Sequence, residues 1–142
     1  MNANDLSFGI EIETIAPDSA VRDDGLRIGP YKRGIQVPYL PAGWKAEADG
    51  SIDNSNGGHR CEIVSPILRG PEGLAQVAEV VRTLEAKGHR VNASTGVHCH
   101  VGFQRDWPSE ALARLVTIVA YVEKGLYAIT GTKNRERGRY CG

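Results

Sequence analysis

The chain has 142 residues, 41% apolar and 24% charged, with 17 acidic and 17 basic side chains and a formal charge of zero. Such values describe a globular chain that fits one domain, and they supply no global field to attract nucleic acid or an anionic membrane. The polar start Met1-Asn2-Ala3-Asn4-Asp5 argues against a signal peptide, and no apolar run reaches membrane-spanning length. Three cysteines without C-x-x-C spacing argue against a disulfide framework and a structural zinc site, and for a reducing cytosol.

The first predicted strand covers about residues 6–15. In Phe8-Gly9-Ile10-Glu11-Ile12-Glu13 the alternation sends Phe8, Ile10 and Ile12 to one face and Glu11 and Glu13 to the other. A long segment broken by Pro17, Gly25, Gly29, Pro30, Gly34, Pro38, Pro41 and Gly43 follows, read as a functional loop or one hiding a short strand at Ile35–Tyr39. Trp44–Asp49 alternates again, with Trp44, Ala46 and Ala48 opposite Lys45, Glu47 and Asp49. Asp49-Gly50-Ser51 reads as a turn, and the 50–60 loop is expected to close a hairpin onto a strand carrying Glu62.

Two helices are expected. The first covers about 72–87, with Leu74, Val77, Ala78, Val81 and Leu84 as its apolar stripe and Gly88 as its stop. The second covers about 108–129, with Leu112, Leu115, Val116, Val119, Val122 and Leu126, from a start at Asp106 and Pro108 to an end at Gly131. Between them, Gly96–Phe103 alternates Val97, Cys99, Val101 and Phe103 with His98 and His100. Cys61 and Cys99 fall on the apolar faces of their strands, where a free cysteine is ordinarily a small core residue. The expected fold is α+β: a mainly antiparallel sheet with both helices on its apolar back and the Glu/His face left open.

Taken alone, Glu11-x-Glu13 reads equally well as surface charge on an edge strand, and His98-x-His100 is a modest signal. Three segments that each place ligand-type residues opposite an apolar face shift the reading toward a divalent cation. Glu11 and Glu13 stand roughly 7 Å apart along a strand, a spacing that suits two neighbouring ions or one ion with its water shell. Carboxylates are the hard oxygen ligands Mg²⁺ prefers, and an imidazole widens the site toward Mn²⁺.

Phe8–Glu13, Trp44…Asp49-Gly50-Ser51, Glu62-Ile63-Val64-Ser65-Pro66 and Gly96–Gly102 occur in the order found in the amidoligase family. That family belongs to the carboxylate–amine ligase superfamily of glutamine synthetase and glutamate–cysteine ligase. Asn92-Ala93-Ser94-Thr95-Gly96-Val97-His98-Cys99-His100 also resembles the N-G-S-G-M-H-C-H segment of glutamine synthetase. The resemblance covers residues from about 6 to 141. Family members run well beyond this length, so it implies an N-terminal half: a shortened gene, a fragment, or a minimal member that completes its site by association. The end of the chain matches a mid-family segment with Arg135 at the arginine position, but Gly138 stands where asparagine is expected.

What the resemblance implies is an ATP- and Mg²⁺-dependent ligase joining a carboxylate to an amine through an acyl phosphate. Glu11 and His98 would hold the cation on the ATP phosphates; Glu13 and Glu62, joined by Asp49, would hold one near the substrate carboxylate. Ser94, Thr95 and Gly96 would line the substrate. His100 would touch a phosphate oxygen, and Arg135, Arg137 and Arg139 would stabilise phosphate charge, the catalytic work falling to Glu13, His100 and Arg135. Two other classes stay open. One is a non-catalytic metal- or nucleotide-binding remnant; the other is a metal-dependent hydrolase, which the absence of H-E-x-x-H disfavours.

Overall fold

The computed structural model describes residues 6–102 and 107–129. The chain divides into two compact units, Met1–Phe103 and Gln104–Gly142. The first holds β1 (Ser7–Ala16), α1 (Asp18–Arg22), β2 (Ile35–Gln36), β3 (Lys45–Glu47), β4 (His59–Val64), β5 (Leu68–Arg69), α2 (Gly70–Ala86) and β6 (Val97–Gly102). The second holds α3 (Ser109–Ile129), which forms where its periodicity predicts and has no buried residue. No helix among the described residues is long and apolar enough to cross a membrane.

The six strands form one antiparallel sheet, as the α+β expectation requires. It runs β2-β3-β4-β1, with β5 and β6 also paired to β1. Glu11 and Ile12 pair with β4 on one edge of β1 and with β6 on the other, so β1 is the central strand. The β4 ladder stops where Pro66 has no N–H to give, and Ser65 repairs it. Ile10 N–H donates to Ser65 Oγ at 2.8 Å, and Ser65 N–H donates to the Ile10 carbonyl at 2.9 Å.

The predicted alternation orients the sheet. Ile12, Ala16, Trp44, Ala46, Cys61 and Ile63 are buried in the core behind it, with Phe8 and Ile10 packed against them. Trp44 is fully buried, and its indole N–H is kept satisfied by Gln76 Oε1 of α2 at 2.9 Å. Ala48 departs from the expected pattern: the strand ends at Glu47, and Ala48 is exposed.

α2 begins and ends close to its predicted bounds, but its buried face differs from the expected stripe. Gly73, Val80 and Leu84 are buried and Val77 packs on the core, whereas Leu74 and Val81 are exposed. Val77 and Leu84 belong to both faces, and the observed one is turned by roughly 65°, at about 100° per residue. The cause is Gly73: a Cβ there would stand 3.0 Å from both Leu68 and Phe8, so its bare backbone is what approaches the sheet. Gly88, at φ +78, follows the helix as expected.

A second correction concerns β6. Its apolar side, expected in the core, is exposed at Val97, Cys99 and Val101, because no element among the described residues of this unit covers it. Among the described residues only Cys61 is a core cysteine. Phe103, Asp106 and Gly131 lie outside the described residues.

A partly buried polar clasp on the core side holds the segment between α2 and β6. Tyr39 Oη lies 2.9 Å from His89 Nε2, His89 Nδ1 lies 2.9 Å from Thr14 Oγ1, and Thr14 donates to the Cys61 carbonyl at 3.3 Å. Because Thr14 spends its proton on Cys61, His89 must donate from Nδ1 and accept from Tyr39 at Nε2. Burial holds His89 neutral, its pKa lowered to about 4 against the pull of Asp24. The same burial raises Tyr39 and pushes Cys61 up to about 12. Arg90, next in sequence, exchanges backbone hydrogen bonds with Ile15, setting the start of the loop that leads into β6.

Candidate metal centre

The open face of the sheet gathers the residues that alternation assigns to it. Glu11 pairs in register with His98 of β6, and Glu13 with Glu62 of β4. Glu11 Oε2 lies 3.1 Å from His98 Nδ1, and its Oε1 lies 3.3 Å from His100 Nε2. Glu13 Oε1 lies 3.7 Å from His98 Nε2, so His98 stands between the two glutamates. The other Glu13 oxygen accepts the Gly96 N–H at 2.6 Å. Two overlapping sets result: Glu11, Glu62 and His98, and Glu13, Asp49 and Glu62, each with donor atoms within 4.8 Å of one another.

Glu62 belongs to both sets and has the most costly position. It is buried in the sheet, and its pKa is raised to about 7, first by burial and then by the neighbouring charges of Glu11, Asp49 and Glu47, with His98 opposing. A carboxylate held among like charges away from water is unfavourable unless protonated or paired with a cation. The donor chemistry fits hard divalent ions, with oxygen in the majority and one imidazole in one set.

Asp49 reaches this face from the turn after β3, where its Oδ1 also accepts the Ser51 N–H at 2.6 Å. The 50–58 loop closes the β3–β4 hairpin, as predicted, and is fixed by Arg60, which donates to Asn54 Oδ1 and the Gly50 carbonyl. Ser94 and Thr95 lie in the loop before β6 with their hydroxyls engaged inside the protein. Ser94 Oγ donates to Asn92 Oδ1 and accepts the Asp53 N–H, while Thr95 Oγ1 accepts the Asn92 N–H and donates to its carbonyl. Gly96 contributes its N–H to Glu13. Arg135, Arg137 and Arg139 lie outside the described residues.

A cavity of about 390 Å³ opens beside Glu11 and His100, over Gly9 and against Ser65, Pro66 and Ile67. Gly9 lies on the carboxylate face, and a Cβ there would meet nothing closer than Ser65 Oγ at 3.7 Å. The cavity therefore reaches the sheet backbone directly.

Sequence reasoning missed Glu47. It is 8% exposed, faces the same side as Glu13 and Glu62, and stands opposite Glu62 in the β3–β4 ladder. Its Oε1 accepts the Lys32 N–H at 2.9 Å, so it anchors the 30–33 loop. The signal was its place two residues before Asp49 on the polar side of an alternating strand.

The family comparison supplies the class. Residues 4–142 match the model of a family described as "Putative amidoligase enzyme", and the chain belongs to that family. No curated protein and no solved structure matches it.

Proposed function

We propose that this protein is an ATP- and Mg²⁺-dependent carboxylate–amine ligase working through an acyl phosphate. Membership of the amidoligase family supports the ligase class. The observation that carries the finer reading is the pair of donor sets joined at Glu62. Bound divalent cations would neutralise the triphosphate and the charge that spreads over the transferred phosphoryl group. Glu11, His98 and Glu62 would hold one; Glu13, Asp49 and Glu62 would hold the other.

The chain's own residues then have separate tasks. The cavity beside Glu11 and His100 takes the nucleotide, and His100 places an imidazole donor where a phosphate oxygen would lie. Glu13, pinned by the Gly96 amide, keeps one oxygen free to face the substrate side. The γ-phosphoryl group passes to a carboxylate oxygen and ADP leaves. The amine lone pair then attacks the acyl carbon, inorganic phosphate departs with the bonding electrons, and the nitrogen loses a proton. Positioning of the reactants supplies most of the rate in such transfers. A glutamine synthetase-like ancestry, a cytoplasmic site of action and completion of the site by a second copy are parts of the same reading.

The test is ADP release from ATP with Mg²⁺, a panel of amino-acid and peptide carboxylates, and an amine, read alongside the oligomeric state. Amine-dependent ADP release that is lost in Glu62→Gln supports the ligase. ATP binding without turnover under every condition favours the non-catalytic reading.

A further inference from the structure

The 30–33 loop is held against the carboxylate face by Glu47, and the ligase mechanism does not use it. Lys32 has φ +61, the only non-glycine residue with positive φ among the described residues. Left-handed backbone at a lysine is unfavourable and persists only where the surroundings impose it. Here the Glu47 carboxylate does so, through the Lys32 N–H, and Arg33 N–H closes the turn on the Pro30 carbonyl at 2.9 Å. Gly29 and Gly34 make the turn possible: a Cβ at Gly29 would meet the Arg33 carbonyl oxygen at 2.2 Å, and one at Gly34 would meet Lys45 Cβ at 2.8 Å.

This tight turn presents Tyr31, Lys32 and Arg33 to solvent, with Lys32 Nζ 5.1 Å from the Tyr31 ring centre. Lys45 is exposed beside it, on the same side of β3 as Glu47. Among the described residues no acidic side chain pairs with Lys32, Arg33 or Lys45. Three unpaired cations thus border the Glu47 end of a row that is otherwise carboxylate. A buried carboxylate is committed to fixing the loop that carries two of them.

We propose that the 30–33 loop is the specificity element of this site, and that Lys32 and Arg33 select acceptors carrying a further anionic group beyond the reacting carboxylate. The proposal rests on the ligase reading and deepens it. One end of the acceptor meets the cations held by Glu13, Asp49 and Glu62. The distal anion meets the ammonium and guanidinium groups of the loop, where charge-assisted hydrogen bonds are available. An acceptor with one carboxylate leaves those groups in water and gains nothing from them.

The experiment is calorimetric titration of the protein with glutarate and with butyrate, each in saturating Mn²⁺, preceded by a Mn²⁺ titration alone. The wild type should bind glutarate roughly tenfold more tightly than butyrate. The double variant Lys32→Gly/Arg33→Gln should lose that preference while binding Mn²⁺ and butyrate as before, since glycine suits φ +61 and the fold is preserved. Glu47→Gln keeps an oxygen acceptor for the Lys32 amide and should retain the preference. Equal affinity for both acids in the wild type, or a preference unchanged in the double variant, overturns the proposal and leaves the metal centre untouched. Absence of Mn²⁺ binding by the wild type overturns the metal centre itself, and this assignment with it.

Discussion

Glu13 accepts the backbone N–H of Gly96 at 2.6 Å, which makes the second glutamate of β1 the joint between its strand and the loop that leads to His98. The bond fixes one Glu13 oxygen and leaves the other 3.7 Å from His98 Nε2. Gly96, which the resemblance assigns to the substrate lining, orients a carboxylate through its amide. The same face then brings Glu62 within ligand distance of Glu11 and His98 in one set and of Glu13 and Asp49 in the other.

Neutralising Glu62 should stabilise the metal-free protein. Its pKa is raised to about 7 in the fold from an ordinary value of 4.5, so between those values the folded chain holds a proton that the unfolded chain has lost. Stability therefore falls as pH rises through that window, and the full cost is present above pH 7. Glu62→Gln removes the charge, and in a chelating buffer at pH 8 it should melt a few degrees higher than the wild type. Near pH 4.5 the two should melt together. Added Mn²⁺ should raise the wild type more than the variant, as thermal melts at both pH values would show.

The Tyr39–His89–Thr14 clasp makes the opposite prediction toward acid. His89 keeps its neutral form down to about pH 4, against 6.5 in the unfolded chain, so its contribution is complete above pH 6.5 and is lost as pH falls from 6.5 to 4. His89→Ala should destabilise by about 1–3 kcal/mol at neutral pH, because it leaves the Tyr39 hydroxyl without its partner and Thr14 with only the Cys61 carbonyl, in a partly buried site. Denaturant unfolding of both proteins from pH 7 to 4 checks this. The gap between them should narrow toward pH 4.

The carboxylate face was legible because strand alternation is local: once Phe8, Ile10 and Ile12 are known to face the core, Glu11 and Glu13 have nowhere else to point. The pairing of β1 with β6 then sets Glu11 opposite His98, 87 residues away, and that register follows from tertiary contacts. Glu47 was hidden for the same reason. In the run Lys45-Ala46-Glu47 it resembles an ordinary outward charge, and its burial comes from a loop 15 residues earlier. His89 gave no signal because its partners Thr14 and Tyr39 lie 75 and 50 residues away. The α2 stripe was misplaced because hydrophobicity favoured Leu74, while the sheet's approach favoured the smaller Gly73.

Filling the cavity floor should separate folding from nucleotide binding. Gly9→Val places a β-branched side chain in a strand with no heavy atom within 3.4 Å of its Cβ, so the melting temperature should hold or rise slightly. The same side chain enters the cavity beside Glu11 and His100. Affinity for a non-hydrolysable ATP analogue, measured with Mg²⁺, should fall about tenfold or more, while Mn²⁺ binding in the absence of nucleotide stays within about twofold.

The most direct measurement of the central claim is calorimetric titration of Mn²⁺ into the wild type and into the double variant Glu11→Gln/Glu13→Gln. The amides keep the shape of both side chains and remove their charge. Two sites that share Glu62 predict measurable binding by the wild type and at least a tenfold loss in the variant, with the fold intact by circular dichroism. Equal, weak heats from both proteins would contradict the account and return these glutamates to ordinary surface charge.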